Sequence, residues 1–600
     1  MKQIFILLVT IFCLSFSASE KHVTPNNGVK KGFLSNLEQL SNSCLELSNK
    51  NQIDQKDYLS LRSEFKKIEF LLAQIDHSFY LKNINGAPLP KLEKNVPDIS
   101  VIEPHGFQVL DELMAQHQDS FVIEKSSELK HLYTSLNQAK SFTSNISFSN
   151  ELLLHAFQNE LLRIYTLGIT GFDTPGSLNG VTDASQSLSG LLEFSEISEL
   201  DSLGILQHLL KRNIQYLDDN PNFESFDRAI YYIEFWQPLY SELIDLYSKN
   251  ECRTWNKAEL KPLEVNASEK HLFNQTFFNK QAFIDFNINE INSETIKLGK
   301  ALFYEKKLSK NSELSCASCH NPKKGFSDGR KRSISSDGET TLLRNSSGLI
   351  NSMFTKAFFY DLRAEHLSQQ FEHVIFNTYE FNTTLLSIFK DLDSFGYTTQ
   401  FKKAFPAHSK DPINPYTFKV ALSAYISSLT KYDSKFDKFM RKESVLFDSS
   451  VIKGYNLFMG KAACATCHFP PNFSGLVPPY FNDSETEILG VPQDTTYGKL
   501  DPDLGRYSEK KPKDMVDFYR HSFKTTTVRN ISLTSPYMHN GVFKTLEQVL
   551  EFYDNGGGVG HGLKIRNQTL SSDSLSLTDQ EKSDIITFME NLEENWSNDY

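Results

Sequence analysis

Apolar side chains recur at steps of three and four over much of the first 250 residues. Leu61, Phe65, Ile68, Leu72 and Ile75 form one such stripe, the spacing of an amphipathic helix laid on a core. Segments 149–167, 186–212 and 225–248 are patterned similarly and predict further helices. Turn-rich stretches such as Gly171 to Gly180 separate them. The run from Pro88 through Pro90 and Pro97 to Pro104 predicts a loop, because each proline fixes φ and removes a backbone donor. This half of the chain reads as a helical bundle with no clustered metal ligands of its own. Residues 250–285 are polar and rich in Lys, Asn and Glu, which suits a connection between units.

Length and charge narrow the class. Six hundred residues are enough for several domains of ordinary size. The 62 basic and 74 acidic residues leave a net charge of −12, with no basic block of the kind that tracks a phosphate backbone, so nucleic acid is not an expected partner. Met1-Lys2, an apolar stretch from Ile4 to Phe16 and the small residues Ser17-Ala18-Ser19 predict a secretory signal over residues 1–19. The apolar stretch is shorter than the roughly 20 helical residues needed to span a bilayer, and no later segment is long enough. An exported, periplasmic chain without a transmembrane segment is expected. Seven cysteines are too few for a disulfide-stapled scaffold of this size. Cys44 and Cys252 stand apart, either paired with each other or separately buried.

Four cysteines carry the chemistry. They lie in Cys316-Ala317-Ser318-Cys319-His320 and Cys464-Ala465-Thr466-Cys467-His468. In a Cys-x-x-Cys-His segment the two sulfurs form thioethers to a porphyrin edge and the adjacent imidazole is placed beneath the iron. A Cys-x-x-Cys pair alone would leave a redox dithiol, a disulfide or half a zinc site open. Each motif follows a Gly-x-x-Leu-Phe lead, Gly299 to Phe303 and Gly454 to Phe458, and the first cysteines are 148 residues apart. Two successive c-type haem units are therefore expected. The fold class is all-α: a signal at 1–19, a helical domain of unknown role at 20–280, then cytochrome c-like domains at 281–450 and 451–600.

From about residue 295 to 595 the chain resembles the bacterial di-haem cytochrome c peroxidase family, including its MauG-like branch. The resemblance rests on Leu298-Gly299-Lys300, Cys316 to Pro322, Arg344-Asn345, Tyr360 to Ala364, Asn377 to Phe381 and Thr534 to Gly541, in the family's order. It implies that His320 is the proximal ligand of a peroxide-reactive haem and His468 that of an electron-transfer haem. It also implies that Glu380 is the carboxylate that moves a proton between the peroxide oxygens, and that Tyr360 stands where the family carries an inter-haem aromatic relay, commonly Trp. Family peroxidases often close the first iron with a histidine from the loop after the first motif. Residues 321–344 contain none, so an open position is expected unless His366 or His373 turns inward. Opposite His468, the family places a Met, or in the MauG-like branch a Tyr, fourteen residues beyond the residue matching His539. Tyr553 is there, with Met538 as the rival. Asn345, Thr534 and Pro536 match the family's calcium site. Asn85-Gly86-Ala87-Pro88-Leu89-Pro90 resembles, over that short stretch, imelysin-like helical modules.

The resemblance implies two covalent c-type haems, a calcium ion, hydrogen peroxide as oxidant, and a small electron-donor protein, either a cytochrome or a copper protein. Two alternatives stay open: a MauG-like oxidase acting on a partner protein, and a non-catalytic di-haem electron carrier.

Overall fold

In a computed structural model, residues 26–594 are described apart from 94–98, 117–121, 199, 251–254, 257–260, 445–447 and 509–510. The predicted signal and Cys252 lie outside the described residues. The fold is mainly helical, with three two-residue antiparallel ladders as its named strands. No helix among the described residues is long and apolar enough to cross a membrane.

The first half is built from capped helices. Asn26 caps Asn27–Ser48, Asp54 caps Gln55–Ile75 and Ser149 caps Asn150–Thr166, each through a side-chain oxygen accepting a first-turn N–H. The stripe of Leu61, Phe65, Ile68 and Leu72 is buried as its period requires. Charged residues on the same helix are buried as well. Arg62 pairs with Asp183 at 2.5 Å, and Lys66 with Glu69 at 2.8 Å and Asp173 at 2.9 Å. Such groups stay buried only when paired, so this half has an ionic centre that an apolar period does not reveal. The proline-punctuated run is not irregular throughout: Lys91–Leu92 pairs with Val101–Ile102.

The expected polar connection is corrected. Leu272, Phe273, Phe277, Phe278 and Phe283 are buried. Phe273 meets Tyr232, Phe436 and Phe473, while Phe278 meets Phe354 and Phe481. Gln275 and Thr276 between them are exposed, whereas Lys280 Nζ turns in to donate to Thr430 Oγ1 at 2.6 Å; the spaced phenylalanines decide the packing. The first half also lies directly on the second haem motif's surroundings. Phe172 packs edge-on against Phe469 at 5.6 Å, the Tyr165 and Tyr455 hydroxyls hydrogen-bond, and the Asn456 side-chain Oδ1 accepts from the Arg228 and Ala229 backbone N–H groups.

The repeated Gly-x-x-Leu-Phe lead has a mechanical explanation. Each glycine sits where the leading helix of its unit crosses a later one. A Cβ at Gly299, on Ser293–Tyr304, would lie 1.9 Å from the Ala421 carbonyl oxygen of Pro415–Ser428, and one at Gly454, on Ser449–Met459, would lie 1.9 Å from the Asp584 oxygen of Asp579–Glu590. The phenylalanine then packs on the motif histidine, Phe303 against His320 at 6.5 Å and Phe458 against His468 at 6.4 Å. Gly299→Ala and Gly454→Ala should each destabilise by about 2–3 kcal/mol, because a backbone carbonyl cannot step aside as a side chain can. Thermal unfolding together with covalent haem content checks this, and each substitution should lower the occupancy of its own motif first.

Candidate functional site

Both cysteine motifs fold as one tight turn that ends at the histidine. His320 N–H donates to the Cys316 carbonyl at 3.0 Å, and His468 N–H to the Cys464 carbonyl at 2.8 Å. The chain then loops back and closes on a bridge, Asn321 with Ser327 in the first unit and Phe469 with Ser474 in the second. In each loop a phenylalanine with left-handed φ, +62° at Phe326 and +48° at Phe473, turns its carbonyl onto the imidazole. The Phe326 oxygen is 2.8 Å from His320 Nδ1, and the Phe473 oxygen is 3.2 Å from His468 Nδ1. A carbonyl partner fixes the hydrogen on Nδ1 and leaves the Nε2 lone pair for a metal. Burial lowers both imidazole pKa values, that of His468 to about 4, so the rings are neutral and able to ligate.

The four motif cysteines are unbridged. Burial pushes the thiols up, Cys316 and Cys464 to about 12 and Cys319 to about 11. Both motifs line one continuous cavity of about 4160 Å³, several times the roughly 300–1,000 Å³ of an ordinary small-ligand pocket. Two pairs of thiols, two oriented neutral imidazoles and a cavity of this size fit two covalently held haems.

The other predicted residues border the same cavity. Glu380 is half-buried, and Asn377 Nδ2 donates to its Oε2 at 2.6 Å. After burial, the Glu380 charge is among the influences that raise the Cys316 and Cys319 thiols, so its carboxylate is close to the first motif. Burial pushes the Tyr360 phenol up to about 12. The Tyr360 carbonyl accepts from the Lys524 N–H at 2.7 Å. Lys524 belongs to the ladder pairing Thr486–Glu487 with Phe523–Lys524, and Glu487 hydrogen-bonds Cys467 of the second motif. Tyr360 is thus stitched to a ribbon that ends on the other haem motif.

Tyr553 sits on the helix Leu546–Asp554. Its pKa is raised by burial and then by the nearby Cys467, Cys464 and Glu487 charges, and it lines the cavity together with the second motif's cysteines. Met538, with φ +71°, packs in the same small apolar cluster as Tyr553. Neither His366 nor His373 is turned inward. His366 caps Leu367–Phe376 and is exposed, and the exposed His373 packs edge-on against Phe359 at 5.6 Å. Asn345 joins the two units: its N–H donates to the His539 carbonyl at 2.7 Å and its Nδ2 to the Arg330 carbonyl at 2.8 Å. Thr534 Oγ1 donates to Ile531 at 3.2 Å, and Pro536 follows a cis bond.

Two participants were not singled out from the sequence. Arg344 joins Asp503 through Nε at 2.6 Å and Nη2 at 2.9 Å, and Asp361 at 2.7 Å, so it clamps the segment after Tyr360 to the second unit. Its place inside the matching Arg344-Asn345 pair was the available signal. Glu487 lies half-buried beside Cys467, and desolvation followed by the Glu485 charge pushes its pKa to about 7. Nothing in the local sequence marks it.

Comparison with known proteins agrees with this geometry. The sequence profile described as di-haem cytochrome c peroxidase matches residues 293–445. The methylamine utilization protein MauG of Methylorubrum extorquens is 30% identical over 305 residues, 51% of this chain and 79% of that protein. The chain belongs to the di-haem cytochrome c peroxidase and MauG family. Cytochrome c551 peroxidase of Pseudomonas aeruginosa is 31% identical over 267 residues, covering 44% of this chain and 73% of that protein. A crystal structure of a MauG-like protein associated with microbial copper homeostasis aligns at 26% identity over 52% of this chain and 92% of that chain, with a TM-score of 0.44. Family membership makes this chain a di-haem peroxidase-type oxidoreductase with two c-type haems, and the non-catalytic carrier is set aside.

Proposed function

We propose that this chain reduces hydrogen peroxide to water on the His320 side of the cavity and takes electrons in from the His468 side. One haem on each motif supplies a redox-active iron. Glu380 takes the proton from one peroxide oxygen and returns it to the other as the O–O bond breaks, so that water leaves rather than hydroxide. Two electrons from a small donor protein and two protons from solvent complete the conversion of one H₂O₂ to two waters. Tyr360 and Arg344 hold the seam between the units, and Tyr360 is the residue placed to relay charge. Asn345, Thr534 and the turn at Pro536 are the proposed calcium ligands; metal analysis of the purified holoprotein should find one calcium per chain. The chain is proposed to be exported, which N-terminal sequencing of the mature product checks.

The observation that carries this reading is a carboxylate held by Asn377, close to the first cysteine motif, in the cavity that both motifs share. Stopped-flow mixing of the as-isolated holoprotein with H₂O₂ tests it. A rapid spectral change followed by turnover with a reduced small cytochrome is expected; two six-coordinate, peroxide-inert haems would overturn it.

A second reading, oxidation of a partner protein as in the MauG-like branch, is favoured by Tyr553 lining the cavity together with the second motif's cysteines. A phenolate is a hard anionic donor that stabilises ferric iron. Tyr553→Phe should therefore raise the midpoint potential of the second haem and change its spectrum while leaving the first haem's unchanged. An unaltered potential would remove Tyr553 as a ligand.

A further inference from the structure

The helical first half brings together three residues with metal-ligating side chains, although its sequence shows no cluster. His105 lies in the loop leading into Phe107–Ala115, while Glu128 and His131 lie one turn apart on Val122–Thr143. One ring nitrogen of each histidine and one carboxylate oxygen lie within 4.8 Å of one another. His105 Nδ1 and Glu128 Oε2 are already 3.1 Å apart, and the two imidazoles stack with centroids 4.0 Å apart. A tetrahedral ion with metal–ligand distances near 2.1 Å needs donors roughly 3.4 Å apart. Small rotations of the two partly exposed rings close the remaining gap.

The surroundings hold these donors in place. The second Glu128 oxygen accepts the Gly106 N–H at 2.6 Å, and the Asn83 backbone hydrogen-bonds the His131 ring. These are the outer contacts that orient a ligating carboxylate and a ligating imidazole. Gly106 has φ +115°, and a Cβ there would meet the Ile84 carbonyl oxygen at 2.2 Å. Only glycine allows this approach, which sets His105 over the helix. Glu128 is buried, whereas the His105 side chain is 39% exposed, so an ion can enter from solvent. A His–Glu hydrogen bond alone would not require a second imidazole stacked beside the same carboxylate. The Glu-x-x-His spacing is one by which helices present a carboxylate and an imidazole to one metal.

We propose that His105, Glu128 and His131 bind one divalent first-row transition-metal ion of the zinc class, with a coordination position left open to water. Two imidazoles and one carboxylate suit such an ion better than calcium or magnesium, which prefer all-oxygen shells. The site lies in the helical half and does not depend on the peroxidase reading.

Zinc titration of the metal-stripped holoprotein against a chromophoric chelator tests it, since thioether-linked cysteines cannot compete. One equivalent should bind to the wild type. His131→Ala and Glu128→Gln should each weaken that equivalent by at least about tenfold, with both haem spectra and the unfolding temperature unchanged. Should the Glu128 variant misfold, His105→Gln on the exposed loop gives the same readout. No zinc equivalent on the wild type, or unchanged affinity in well-folded variants, would overturn the proposal.

Discussion

Glu380→Gln should leave both haems attached and slow the reaction with H₂O₂ by about 10²–10⁴-fold, the range general acid–base catalysis supplies. The amide is nearly isosteric and can still hydrogen-bond Asn377, which donates to the carboxylate at 2.6 Å, so the fold gives no reason for loss of haem. What disappears is the capacity to take a proton and give it back. Rapid mixing with peroxide reads the rate, and absorbance of the reduced protein confirms that both haems remain. Asn377→Ala makes a useful companion. It keeps the carboxylate but frees its orientation, so its rate should fall between wild type and Glu380→Gln. A Glu380→Gln protein that reacts at the wild-type rate would show that the proton moves through another group.

Local chemistry was legible in the sequence where covalent spacing carries it. Cys-x-x-Cys-His places sulfurs and imidazole within one turn, and Gly-x-x-Leu-Phe compresses a helix crossing and a ring contact into five residues. What orients the histidines was not legible. The Phe326 and Phe473 carbonyls are backbone atoms presented by left-handed residues, and any side chain shows the same carbonyl in a sequence. Periodicity also hid the ionic centre of the first half, because Arg62 and Lys66 interleave with Leu61, Phe65 and Ile68 on the same helix. Average composition hid the buried phenylalanines of the connecting segment. His105 and His131 escaped because 26 residues separate them, and a left-handed glycine brings them together.

Arg529→Ala should destabilise the protein by about 3–5 kcal/mol, the cost of leaving a buried charge without its partner. Arg529 has no exposed side-chain surface and binds Asp437 through two hydrogen bonds of 2.9 and 2.8 Å; Glu594 lies 3.6 Å away, equally buried. Its Nε donates to the Pro471 carbonyl at 2.9 Å, and its guanidinium lies 4.0 Å from the Tyr432 ring centroid. Pro471 opens the loop whose Phe473 carbonyl orients His468. The same substitution should therefore disturb the spectrum of the second haem and leave that of the first. Burial already raises the Glu594 pKa well above the ordinary carboxylate value. A carboxyl raised in this way binds its proton more tightly in the folded state, so stability falls as pH rises above the unfolded carboxylate range. Without Arg529 the shift grows, and the deficit should widen from pH 5 to pH 8. Thermal unfolding across that window, with a fall in Tm of about 3–4 °C at pH 8 for a chain of this length, is the measurement; a variant as stable as wild type would mean that Asp437 and Glu594 find other partners.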